Sequence, residues 1–126
     1  MAKPNKQSSQ RIVRELFKLP EEEDVLDDFS CALKRKVNIH GRLFCTDNFL
    51  CFYANILGFK TKLVLSFRDI TNVTKSPKEA RGIDITCASK AYTFRSFYRS
   101  NDALQFIHTL WRNTGVPASE DCGCMV

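Results

Sequence analysis

The sequence predicts a mainly β domain: seven short antiparallel strands in a closed or nearly closed barrel, plugged by a C-terminal amphipathic helix, with a short helix in front. Three observations carry this. Gly41 to Phe67 reads as three apolar runs broken by two tight turns, a β-meander. Shorter runs with period-two alternation flank it on both sides. From Ala103 to Trp111 the apolar period changes to that of a helix.

Taken in order, residues 1–8 are polar and expected to be disordered, residues 9–114 form one domain, and residues 115–126 are a flexible tail. Ser8 or Ser9 can cap a helix carrying Ile12, Val13, Leu16 and Phe17 at helical spacing, and Pro20 ends it. The acidic run from Glu21 to Asp28 then reads as a solvated connector. Phe29, Cys31 and Leu33 alternate with Ser30 and Ala32 as the first strand, which runs into Lys34-Arg35-Lys36. The chain returns through Val37 to Gly41, with His40 read as a turn residue. Arg42 to Thr46 is the second strand. Asp47-Asn48 suits a turn because both residues tolerate positive φ.

The third strand, Phe49 to Ile56, is almost continuously apolar, so both of its faces should be covered. Leu57-Gly58 breaks it. The fourth alternates from Lys60, with Leu63, Leu65 and Phe67 on one face. Ile70 and Val73 are three apart, which suggests a short or bulged fifth strand. After a loop at Ser76 to Arg81, Ile83, Ile85 and Cys87 alternate, Ser89-Lys90 turns, and Tyr92 to Phe97 is the last strand. Ser100-Asn101-Asp102 starts the final helix, with Ala103, Phe106, Ile107, Leu110 and Trp111 on one face; Gly115 and Pro117 stop it.

With 126 residues, there is room for one domain, expected to be monomeric. No apolar run approaches the roughly 20 residues of a membrane-spanning helix, and no signal-peptide core is present, which points to the cytoplasm. Cys31, Cys45, Cys51 and Cys87 fall at apolar strand positions and read as reduced core thiols. The net charge of +5 hides an asymmetry. Six of the fourteen acids lie between Glu21 and Asp28, while Phe29 to Thr114 carries fourteen Lys or Arg against five Asp or Glu. Such a surface favours a polyanionic partner.

LFKLPEEE (Leu16–Glu23), FSCAL (Phe29–Leu33), GRLFCTDNFLCFYANILG (Gly41–Gly58), DITNVTK (Asp69–Lys75) and FRSFYRSNDALQFIHTLW (Phe94–Trp111) together resemble the GRAM domain, of the pleckstrin-homology-like superfold. The likeness is nearest to the GRAM domains of lipid-transfer proteins at membrane contact sites and of Rab GTPase activators. It implies two near-orthogonal antiparallel sheets and peripheral membrane association. The implied ligand is anionic membrane lipid, a phosphoinositide or phosphatidylserine; some family members bind protein instead.

The residues give an independent argument. In a meander, the turns between strands one and two and between three and four open at the same end. The first carries Lys34, Arg35 and Lys36, with Arg42 just inside the next strand. The second carries Ile56, Leu57 and Phe59 as an inserting apolar tip, with Lys60 and Lys62 behind. The opposite end is neutral to acidic. Lys75, Lys78 and Arg81 extend the basic set from a loop whose end of the barrel the sequence does not fix. Each lysine or arginine near an anionic leaflet contributes on the order of 1 kcal/mol. The same residues also read, without the fold, as a solvated loop and as core or partner contacts.

Other chemistries lack parts. With two histidines, no acid pair and no glycine-rich phosphate loop, no catalytic set can be assembled, and no cofactor is expected. The spacings Cys45-x5-Cys51 and Cys122-x-Cys124 match no common zinc pattern. Gly123 occupies the place a prenylated cysteine would need, which leaves reversible palmitoylation of Cys122 or Cys124 open. A protein-interaction module on the same scaffold is the second reading. Nucleic-acid binding ranks last because the aromatics read as strand core.

Overall fold

The computed structural model describes residues 6–114. Helix α1 (Lys6–Phe17) is followed by strands β1 (Asp27–Lys34), β2 (Asn38–Cys45), β3 (Phe49–Ile56) and β4 (Phe59–Ser66). A 3-10 turn (Phe67–Asp69) leads to β5 (Ile70–Lys75), β6 (Ile83–Cys87) and β7 (Lys90–Arg95), and α2 (Ser100–Asn113) closes the order. The strands form one antiparallel sheet in the order β4-β3-β2-β1-β7-β6-β5. The two sheets implied by the resemblance are therefore hydrogen-bonded into one, through a junction of two pairs, Ala32↔Arg95 and Leu33↔Phe94.

Alternation builds the core as expected. Phe29, Cys31, Leu33, Leu43, Leu50, Phe52, Ile83, Ile85 and Phe94 are buried together, and α2 adds Ala103, Ile107 and Leu110. The β5 irregularity falls between Ile70 and Asn72, and it lets Ile70 and Val73 both turn inward. Trp111 Nε1 donates to the Ile70 carbonyl at 2.9 Å. Phe29 meets Phe97 and Phe106. The helix thus covers the end of the barrel where β1 begins, away from the β1–β2 turn.

Several boundaries differ for identifiable reasons. Lys34 pairs with Asn38, and the Arg35 amide donates to the Val37 carbonyl at 3.1 Å. The β1–β2 turn is thus tight, and His40 is a strand residue opposite Ala32, not a turn residue. The Asp47-Asn48 turn forms without positive φ at either residue; the Thr46 hydroxyl accepts from the amides of Asn48 and Phe49 instead. β7 stops at Arg95 because Ser96, at φ 60°, turns the chain, so Phe97 enters the core from a loop. α1 starts at Lys6, ahead of Ser8, since extending a nucleated helix costs little. Residues 1–5, the tail with its proposed Cys122 or Cys124 acylation, and the Gly115/Pro117 stop lie outside the described residues.

α1 lies on the outer face of the meander. Val13 and Phe17 bury against Cys51, beside Phe44, Phe49 and Tyr53, and this supplies the cover that β3 requires. The acidic run is not simply solvated. Glu23 is buried, and its carboxylate accepts from the backbone and side-chain amides of Asn48. Gln10 exchanges two hydrogen bonds with the backbone of Val25.

Candidate functional site

Two hairpins project from one end of the sheet. The β1–β2 hairpin closes at Lys34↔Asn38 and the β3–β4 hairpin at Ile56↔Phe59. Between them, the β2–β3 ladder runs from Arg42↔Tyr53 to Cys45↔Leu50. Beyond Arg42 the hairpins carry no mutual ladder and stand as two separate prongs.

The second prong turns through Leu57 (φ 53°) and Gly58 (φ 88°), with Asn55 Oδ1 accepting from the Gly58 amide at 3.1 Å. A two-residue turn with both φ positive favours Asn-Gly, and a leucine there costs roughly 1 kcal/mol. No packing offsets this cost, because Leu57 is 94% exposed. Phe59 beside it is 81% exposed and Ile56 43%. The first prong carries a counterpart that sequence reasoning missed: Val37, 71% exposed at the turn. The available signal was an apolar residue set directly after three consecutive cations.

The basic residues divide into two groups. Arg35, Lys36 and Lys60 are exposed at the prongs and form no ion pair among the described residues. The other three have internal partners. Lys34 Nζ lies 2.7 Å from a carboxylate oxygen of Glu79. Arg42 pairs with Asp28, four residues down β2 from Asn38, or about 13 Å at strand spacing. Lys62 Nζ donates to the Leu16 carbonyl at 2.9 Å, near the negative end of α1. The structure thus brings Lys34, Arg35, Lys36 and Lys60 to the apolar tips and sets Arg42 and Lys62 behind them.

Glu79 also places the loop that the sequence could not. The loop joins β5 to β6, and its contact with Lys34 sets Glu79 at the root of the first prong, while the Arg81 carbonyl accepts from the Phe97 amide at 3.2 Å. A hydrogen bond from Lys34, with the Arg95 guanidinium nearby, holds the Glu79 carboxyl below its ordinary 4.5. Among the described residues, no group of three or more His, Cys, Asp or Glu could hold a metal ion, and no helix is long and apolar enough to cross a membrane. His108 stands edge-on to Trp111 on α2.

This arrangement, a seven-stranded antiparallel sheet with a C-terminal helix over one end, is the pleckstrin-homology-like fold. The DH/PH domains of PDZ-RhoGEF, solved with activated RhoA, superpose with a TM-score of 0.63 at 11% identity, over 86% of this chain and 36% of that one. The sequence profile of the GRAM domain matches residues 11–116, and the chain belongs to that family. It is 37% identical over 105 residues to human Protein Aster-B, covering 79% of this chain and 14% of that protein. It is 33% identical over 108 residues to an uncharacterized membrane protein of Schizosaccharomyces pombe, covering 82% and 14%. The chain therefore spans about one seventh of the length of either relative.

Proposed function

We propose that this domain is a non-enzymatic peripheral membrane module that binds anionic leaflets, phosphoinositide or phosphatidylserine, through its two prongs. Leu57, Phe59 and Val37 enter the interface, Ile56 lies at its margin, and Lys34, Arg35, Lys36 and Lys60 meet the headgroups. Arg42 and Lys62 contribute from behind as field rather than as contacts. The observation that carries this reading is Leu57: a fully exposed apolar side chain held in a backbone conformation that disfavours it. Stability alone would favour Asn at that position. A membrane surface supplies the missing apolar environment.

The energies suit reversible binding. The three cations without an ion pair, Arg35, Lys36 and Lys60, supply about 3 kcal/mol near an anionic leaflet at roughly 1 kcal/mol each, and partial burial of Leu57 and Phe59 adds to this, at most about 1.5–3 kcal/mol each. The test is co-sedimentation with vesicles of neutral lipid, phosphatidylserine and phosphoinositide at low and physiological salt. Binding confined to anionic vesicles, lost in the Arg35→Glu/Lys36→Glu double variant and in Phe59→Ser, is expected. Failure to bind any vesicle at low salt would sink the reading and favour a protein partner.

A further inference from the structure

Glu79 is an internal anion in a site made of cations. Its two carboxylate oxygens are divided between Lys34 Nζ at 2.7 Å and Arg95 Nη2 at 2.9 Å. Arg95 also reaches Asn38 Oδ1 at 3.4 Å, and its Nε is buried without a partner among the described residues. These groups come from three strands and a loop: the ends of β1 and β7, the start of β2, and the β5–β6 connection. The side chains of Lys34 and Arg95 remain partly open to solvent, at 46% and 31% exposure.

The loop is built to hold the carboxylate there. The Ser76 hydroxyl accepts from the Glu79 amide, and the Gly82 amide donates to the Glu79 carbonyl. A β-carbon on Gly82 would stand 2.8 Å from that of Glu79, so the loop closes only around glycine. The backbone of Glu79 is thus held in the loop, and its carboxylate reaches Lys34 and Arg95 from there on a side chain free to turn. An arriving anion can replace the carboxylate on Lys34 and Arg95 without unfolding the loop.

We propose that Lys34 and Arg95, with Asn38, form an anion site whose resident occupant is Glu79, and that the ligand able to displace it is a phosphomonoester on a membrane headgroup. A monoester carries about −1.5 to −2 charges at neutral pH and three acceptor oxygens. Against it, Glu79 offers one charge and two oxygens. A phosphodiester or a headgroup carboxylate brings only one charge and gains little from the exchange. Glu79 therefore acts as a threshold that selects doubly charged headgroups. This deepens the membrane reading and rests on it for its setting at the leaflet.

The test compares the protein and its Glu79→Gln variant on vesicles bearing phosphatidylinositol 4-phosphate or phosphatidylserine, matched in surface charge. The wild type is expected to prefer the monoester. The variant is expected to gain about fivefold on phosphatidylserine, the equivalent of one leaflet charge, and so to lose the preference. A parallel titration with soluble glycerol 3-phosphate, against dimethyl phosphate, is followed by backbone amide NMR shifts at Lys34, Glu79 and Arg95. Lys34→Met should abolish the monoester response while sparing the fold, which Trp111 fluorescence reports. Shifts with the soluble monoester but no vesicle preference would assign the site to a free phosphate ester. Equal binding of both vesicle types by wild type and variant, with no selective shifts, overturns the proposal and leaves the membrane reading standing. Selective shifts without any vesicle binding would instead sink the membrane reading alone.

Discussion

Gly41 and Tyr53 meet backbone to backbone: a β-carbon built on Gly41 would overlap the Tyr53 carbonyl and stand 2.8 Å from the β-carbon of Ala54. The contact sits just beyond the last β2–β3 pair, Arg42↔Tyr53, where the two prongs part. Gly41→Ala should therefore destabilise the domain by about 1–3 kcal/mol, since neither backbone can swing aside. Urea unfolding followed by Trp111 fluorescence measures this, and an unchanged midpoint would show that the strands separate freely.

Leu57→Asn should move stability and function in opposite directions. Asn suits the positive φ of the turn, so the fold should gain up to about 1 kcal/mol. Binding to anionic vesicles should fall roughly 3- to 10-fold through the loss of apolar insertion. Thermal melting and co-sedimentation on the same preparation decide it. A variant that melts higher and still binds fully would remove Leu57 from the interface.

The helix α1 seals the outer face of β3 through Phe17 and Val13 over Cys51. Phe17→Ala should cost about 3–5 kcal/mol by the usual scale for a buried phenylalanine, at the lower end because the cluster is small. It should also make Cys51 the first of the four core thiols to react with iodoacetamide. Peptide mass mapping after brief alkylation identifies the site. Equal labelling of Cys31 and Cys51 would mean that the whole barrel opens, not α1 alone.

Alkaline pH should weaken the fold through its buried thiols. Burial pushes the thiols of Cys31 and Cys51 from the ordinary 9.0 up to about 12, and raises Cys45 and Cys87 as well. An unfolded thiol loses its proton near 9, whereas the folded one holds it. Above pH 9 the unfolded state therefore binds fewer protons, and stability falls progressively toward pH 12. Urea midpoints measured from pH 8 to 11 should decline, and Cys→Ala at position 31 should flatten the decline. A flat profile in the wild type would contradict the burial of these thiols.

The meander was legible because each strand reports its own faces: Leu43, Leu50 and Leu65 sit at alternating positions and are buried. The bulge after Ile70 was legible for the same reason. The partners of the basic residues were not. Lys34 meets Glu79 across 45 residues, and Lys62 meets Leu16 across 46. Neither pair leaves a periodic trace: Lys34 and Glu79 are joined through two β1–β7 pairs that no local pattern encodes, and Lys62 and Leu16 through the docking of α1 on the meander. The docking of α1 was half legible. β3 demanded cover on both faces, but nothing in its composition said which segment would supply it.

The buried Glu23 fastens the acidic stretch to the β2–β3 turn at Asn48, leaving Glu21, Glu22 and Asp24 exposed at the far pole from Arg35, Lys36 and Lys60. Opposite charges at opposite poles give the molecule a handle for rotation. In the field of a negatively charged surface it experiences a torque before any contact forms, within about a Debye length of 8–10 Å. A collision then begins prongs-first instead of at a random attitude. Salt would slow the encounter more than it hastens departure, once apolar tips are seated. If the prongs dock on a membrane as proposed, the acidic run at the other pole would set how often the domain arrives rather than how long it stays.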